Sequence, residues 1–130
     1  MQILIGYIDS STGKSVLSVA RDYAEALKAK VFIITSMEGG GSDTNEKIRK
    51  FEKKLEKAQS FIEEKGLECE SHQVVKGRSP GEDIVWFAKE YNIDLVFMGI
   101  EKKSKTQKIL LGSTAQYVIL KAPCPVLTVK

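Results

Sequence analysis

Cysteine, histidine and proline are all scarce in this chain of 130 residues, which has two, one and three of them. Cys69 and Cys124 lie far apart and form no metal-binding or redox motif, so we expect neither a disulfide framework nor a metal site. A reduced, cytoplasmic protein is the default expectation for such cysteine usage. His72 alternates with the apolar Val74 on a predicted edge strand, which favours a structural over a catalytic role.

Long apolar runs and a strong charge of one sign are also missing. No apolar run approaches the roughly 18 residues of a membrane span, and the strand pattern that begins at Gln2 leaves no room for a secretory signal. A net charge of +3 does not favour nucleic acid or anionic lipid as a partner. The length suits one domain, residues 1–130, with a real hydrophobic core.

The chain does contain a regular alternation of strand and helix patterns. Helical spacing of apolar residues follows Ser11, Asp43, Pro80 and Ser113, and the first and last of these helices are predicted to end at Lys28 and Lys121. Asp43 and Glu46 have the spacing of a helix cap. Strands are predicted at Ile3–Ile8, Val31–Ser36, Cys69–Val75, Leu95–Gly99 and Val126–Val129.

This alternation predicts an α/β fold, an open five-stranded parallel sheet with helices on both faces. The first and fourth strands are the most continuously apolar, so both should be interior strands. We predict the order 3-2-1-4-5, in which the winding direction reverses between strands one and four. Ligands of such sheets bind at that reversal, beyond the carboxyl ends of the strands.

A candidate phosphate site lies after the fourth strand. The strand ends at Gly99, and thirteen residues later Gly112-Ser113-Thr114 opens a helix. Unpaired N–H groups and the positive end of the helix dipole would face the reversal point. The loop between also carries lysines, at positions 102, 103, 105 and 108. Such a charge run favours an anion or is simply a solvated loop.

The first loop looks like a P-loop but lacks its first glycine. Gly13-Lys14-Ser15 would require a glycine five residues before Gly13, and that residue is Ile8. No acidic residue ends the strand Val31–Ser36 to hold magnesium. We therefore expect Gly13 to Ser15 in the first turn of an amphipathic helix, with Lys14 in solvent.

These blocks resemble the universal stress protein family, and the resemblance covers nearly the whole chain. The family's nucleotide motif (Gly, two residues, Gly, nine residues, Gly, then Ser or Thr) corresponds to Gly99, Lys102, Gly112 and Ser113, so lysine replaces the second glycine. The stretches Asp94–Gly99 and Ala122–Val129 resemble the family's fourth strand and ending. The resemblance implies an adenine nucleotide alpha hydrolase-like, Rossmann-like fold.

The resemblance also implies roles for particular residues. Asp9, with Tyr7 and Ile8 before it, would hold the ribose, although an aspartate there also suits a turn or helix cap. Ser36 would offer its backbone to adenine. Met98 and Gly99 would line the ribose and first phosphate, and the outer phosphates would lie on Gly112, Ser113 and Thr114. Lys102 would either replace an amide contact by a charge contact or obstruct the site.

The implied function is binding of ATP, or of AMP or ADP, by a stress-response protein that acts through conformation and partner choice. Mg²⁺ would accompany the triphosphate. No general base is held by a third group, so no enzyme activity beyond slow ATP hydrolysis is expected. The alternatives are an interaction module that binds no nucleotide and, less favoured, a small P-loop-type phosphotransferase. We also expect a homodimer through the fifth strand, Pro125 to Val129, an unidentified protein partner, and no nucleic-acid or membrane partner.

Overall fold

The computed structural model describes residues 1–6, 11–36, 45–74, 78–100 and 112–130, with the backbone alone at residues 11, 12 and 36. Strands and helices alternate along these residues. Their bounds are β1 Gln2–Gly6, α1 Ser11–Leu27, β2 Lys30–Ser36, α2 Asn45–Glu63, β3 Cys69–Val74, α3 Pro80–Glu90, β4 Leu95–Gly99, α4 Ser113–Lys121 and β5 Val126–Val129. Within the part of the chain so described, no helix combines the length and apolarity needed to cross a membrane.

The strands form one parallel sheet in the order β3-β2-β1-β4-β5. The predicted order and the interior positions of the first and fourth strands are therefore confirmed. Gly6 at the end of β1 is level with Ile34 of β2 on one side and Met98 of β4 on the other. The carboxyl ends of these three strands thus meet at one edge of the sheet.

Alternate residues of each strand enter two separate cores, because successive side chains of a strand point to opposite faces. On one face, odd-numbered residues such as Ile3, Ile5 and Ile33 pack under α1 and α2. On the other face, even-numbered residues such as Leu4 and Val96 pack under α3 and α4. Helices therefore cover both faces, as predicted.

The observed element ends differ from the predicted ones for local reasons. Helix α1 stops at Leu27 rather than at Lys28, because Lys28 has a φ of 51° and leaves the helical region. Strand β2 starts one residue early, at Lys30, whose N–H donates to the Met1 carbonyl at 3.0 Å. The predicted cap at Asp43 and the predicted strand ends beyond Gly6 and Val74 lie outside the described residues.

His72, predicted to be structural, and two further residues pack against the core or the sheet edge. His72 is half-buried on the edge strand β3, with its ring 5.5 Å from that of Phe87. Trp86 is half-buried against the core, and the Arg78 guanidinium lies 4.8 Å from its ring centroid. Cys124 is half-buried, because it precedes β5 at the edge of the sheet.

Candidate functional site

The candidate site is the edge where β1, β2 and β4 end. Helix α1 leaves β1 over one face of the sheet, and α4, which follows β4, packs on the other face. In a parallel sheet each of these helices begins at the carboxyl edge. Two helix N-termini, at Ser11 and Ser113, therefore belong to the edge at which the winding direction reverses. This is the usual place of a ligand crevice in open α/β sheets.

Helix α4 begins with backbone donors that have no partner within the helix. Its N-cap is Gly112, with φ −63° and ψ 160°, and no side chain of a described residue caps the helix there. The first intrahelical bond runs from the Gln116 N–H to the Gly112 carbonyl, at 3.1 Å. The N–H groups of Ser113, Thr114 and Ala115 precede that bond and have no partner within the helix. Such a terminus attracts anions, phosphate above all.

Glycine at position 112 is not required by the fold of the described residues. A Cβ atom placed there would have none of their atoms within 4 Å, and a φ of −63° is open to any residue. At two other glycines the same test gives the opposite result. A Cβ on Gly81 would lie 3.1 Å from a Tyr117 ring carbon, and one on Gly6 would lie 2.9 Å from Ile84 Cδ1. At Gly112 the described residues therefore leave space open beside the first turn of α4.

The structure describes only some of the residues predicted for the site. Ser113 is exposed and Thr114 half-buried in the first turn of α4. Gly99 ends β4 level with Val129, while the Met98 side chain is buried in the core and leaves only its backbone at the edge. Ser36 is the last residue of β2. The remaining predicted site residues, Tyr7, Ile8, Asp9 and Lys102, lie outside the described residues.

Thr35 is a polar residue at this edge that was not among the predicted site residues. It is 4% exposed, and its Oγ1 has no hydrogen-bond partner among the described residues. Buried hydroxyls usually have a partner, so a donor or acceptor from outside these residues is expected. The sequence does indicate a polar residue at this edge, because Thr35 directly follows the apolar run Val31 to Ile34.

The P-loop reading receives no support from α1. The helix starts at Ser11, so Gly13, Lys14 and Ser15 already lie within it, and Lys14 is exposed. This is the predicted amphipathic arrangement. Among the described residues, no three His, Cys, Asp or Glu side chains come together as a metal site would require.

Comparison with known proteins identifies the class that this fold and edge define. The model of the universal stress protein family matches residues 1–130. A universal stress protein of Methanocaldococcus jannaschii is 41% identical over 76 residues, which cover 58% of this chain and 44% of that relative. The chain therefore spans less than half the length of this relative.

Two solved structures from Archaeoglobus fulgidus share the fold along the whole chain. A universal stress protein structure is 35% identical with a TM-score of 0.86, and the match covers 100% of this chain and 93% of that one. A universal stress protein in complex with dAMP is 32% identical with a TM-score of 0.82, and the match covers 99% and 96% of the two chains. The chain belongs to the universal stress protein family.

Proposed function

We propose that this universal stress protein binds an adenine nucleotide at the carboxyl ends of β1, β2 and β4, with the phosphates on the first turn of α4. The observation that carries the proposal is the space that the described residues leave open at Gly112, beside N–H groups of α4 that none of their side chains caps. Backbone can approach a phosphate closely there, and the helix dipole favours its charge. The dAMP complex of the A. fulgidus relative supports adenine as the base.

The chain offers a partner for each part of such a ligand. Ser36 ends the strand next to β1, where its backbone would meet the adenine. Asp9 follows β1 and would accept hydrogen bonds from the ribose hydroxyls. Ser113 and Thr114 would donate N–H groups to phosphate, and Lys102 would add a charge contact. Mg²⁺ would accompany bound ATP and offset part of the phosphate charge.

Nucleotide binding would act through conformation and not through rapid turnover. Catalysis of phosphoryl transfer needs a positioned base and fixed charges on the transferred group. Within the described residues nothing of this kind faces the strand ends. We therefore propose that the bound state changes the surface offered to a protein partner.

Replacing Gly112 with valine tests the site. The branched side chain would fill the space that phosphate needs, so we expect the affinity for AMP and ATP in calorimetric titration to fall at least about tenfold. Loss of glycine at the cap should lower the free energy of unfolding by less than about 1 kcal/mol. Lys121→Val, at the other end of the same helix, is the matched control and should bind as the parent does.

The competing reading is an interaction module without nucleotide. The parent protein should release an adenine nucleotide on denaturation, detected by mass spectrometry, or show a saturable titration with AMP or ATP. Absence of both would favour the interaction module. If Gly112→Val binds AMP and ATP with unchanged affinity, the phosphates do not lie on α4.

We further propose that two copies pair through β5, which lies at the edge of the sheet with one neighbour, β4. All four of its residues are half-buried in the single chain. Helix α4, which leads into β5, exposes 78% of Leu120 and 43% of Ile119. An apolar edge with free backbone groups must be covered or paired, and a second copy would do both.

A further inference from the structure

Two stretches of the chain concentrate positive charge, the lysines at positions 102, 103, 105 and 108 and residues 47–57 of α2. Residues 47–57 contain six cations and two carboxylates, a net charge of +4 in a chain whose net charge is +3. The other 14 of the 20 cations are balanced by the other 15 of the 17 carboxylates. A mild net charge for the whole molecule therefore conceals a strong local excess.

Most of these cations lie on the outer side of the helix, and Lys47 is exposed in its first turn. Lys53 and Lys57 are each two residues from the buried Leu55, and two residues correspond to about 200° around an α-helix. Four cations have no ion pair with any described residue, namely Arg49, Lys50, Lys53 and Lys57. All four are exposed, as is Lys47. We call these five residues the basic stripe.

Helix stability does not explain the stripe. Like charges four residues apart destabilise a helix by about 0.2–0.5 kcal/mol per pair, and the cations form three such pairs: Arg49–Lys53, Lys50–Lys54 and Lys53–Lys57. Cations are also unfavourable near a helix N-terminus, where the dipole is positive. No basic residue occupies the last turn of α2, where it would be favourable. Apart from Glu46 in the first turn, the charges near the two ends of α2 are thus unfavourably placed relative to the helix dipole.

The amino-acid composition of the stripe indicates which class of anionic partner it would bind. Protein interfaces are rich in aromatic residues and poor in lysine, and the stripe has four lysines and one arginine. A helix that binds lipid inserts its apolar face, but the apolar face of α2 contributes Leu55, Ala58 and Ile62 to the core. The stripe therefore presents a row of positive charges and no apolar contact surface.

We propose that the basic stripe binds the phosphate backbone of nucleic acid, without regard to base sequence. From Lys47 to Lys57 the helix rises by about 15 Å. One strand of a duplex places a phosphate every 3.4 Å or so along its axis, so the stripe can face about four phosphates. Lysine suits this contact because it acts as a flexible point charge. The site is separate from the nucleotide crevice and does not depend on it.

Fluorescence anisotropy with a labelled DNA duplex and the RNA duplex of the same sequence tests the proposal. With about four phosphates neutralised, the DNA affinity should fall about a hundredfold between roughly 50 and 200 mM salt. The triple variant Lys50→Glu/Lys53→Glu/Lys57→Glu should bind at least tenfold more weakly at the lower salt. The variant Lys28→Glu/Lys65→Glu/Lys89→Glu changes net charge equally at exposed positions outside the stripe and should retain most of the binding.

Several results would overturn the proposal. The parent protein could fail to bind either duplex at low salt, or both triple variants could lose duplex binding equally. The stripe could also bind phosphatidylserine vesicles more tightly than it binds the duplexes. Circular dichroism shows whether the stripe variant remains folded, and Lys→Gln changes at the same three positions provide a second test without added negative charge. Gly112→Val should bind the duplexes as the parent does, which separates this site from the proposed nucleotide site.

Discussion

At the scale of single residues, two carboxylates of the Glu68–Glu70 segment surround the ammonium group of Lys30. The Lys30 Nζ lies 2.9 Å from a Glu70 oxygen and 3.6 Å from a Glu68 oxygen. The hydrogen bond from Lys30 lowers the pKa of Glu70, and the same bond raises the pKa of Lys30. The contact joins β2 to the edge strand β3 on the surface of the molecule, where such pairs contribute little.

Replacing Glu70 with glutamine should therefore have a small, pH-dependent effect. A lowered carboxyl pKa stabilises the fold above the ordinary value of 4.5, and this stability is lost as the pH falls through the lowered pKa. At pH 7 we expect Glu70→Gln to melt no more than about 4 °C below the parent. The difference should begin to shrink as the pH falls below 4.5 and should vanish once the pH is below the lowered pKa. Glu68→Gln, whose oxygen is farther from Lys30, is the matched control and should change less; an equal effect would contradict the assignment.

At the scale of elements, α2 carries charges that oppose its own stability. Lys53 has a cation four residues away on both sides, Arg49 and Lys57. Lys53→Glu would turn both repulsions into attractions, so we expect the free energy of unfolding to rise by about 0.5–1 kcal/mol. Urea unfolding at low salt measures this, and high salt should reduce the gain. A stabilised variant that binds DNA more weakly would show that the stripe serves binding and not folding.

The elements themselves were largely predictable from the sequence. The bounds of β4, α4 and β5 match the prediction, because an apolar strand ending in glycine and a helix starting after Gly112 are strong local signals. The end of α1 was missed by one residue, since the backbone of Lys28 is left-handed although lysine is not a typical residue there. Burial was harder to predict: Cys124 lies between prolines in an apolar ending, yet is half-buried because β5 is an edge strand.

At the scale of the whole molecule, topology located the candidate site better than any motif. The alternating pattern predicts the strand order, and the order alone brings Gly6, Met98 and the start of α4 to one edge. The sequence did not predict how particular side chains are arranged in space. Net charge gave no sign that one face of α2 is cationic, and Gly112 and Gly81 look alike in sequence. Only the packing shows that Gly81 accommodates Tyr117, whereas at Gly112 none of the described residues comes within 4 Å of an added Cβ.

Backbone register in β5 shows how the proposed dimer can be tested. The Val96 N–H donates to the Pro125 carbonyl at 3.0 Å, and the Ile100 N–H donates to the Val129 carbonyl at 2.8 Å. Backbone groups of alternate residues in a strand point to the same side, so those of Leu127 also face β4. The backbone groups of Val126 and Thr128 therefore point outward, toward a second copy.

Proline at Thr128 should consequently disrupt the dimer and leave the chain folded. It removes an outward N–H donor, whereas proline at Leu127 would remove a donor to β4 and weaken the sheet itself. Thr128→Val keeps the N–H and the branched side chain, so it is the matched control and should remain dimeric. Light scattering coupled to size exclusion measures the mass at micromolar concentration, and thermal unfolding tests the fold of each variant. A parent protein that elutes as a monomer would rule out pairing through β5. A Thr128→Pro variant that stays dimeric while folded would place the interface elsewhere, for example on the exposed side of α4 around Leu120.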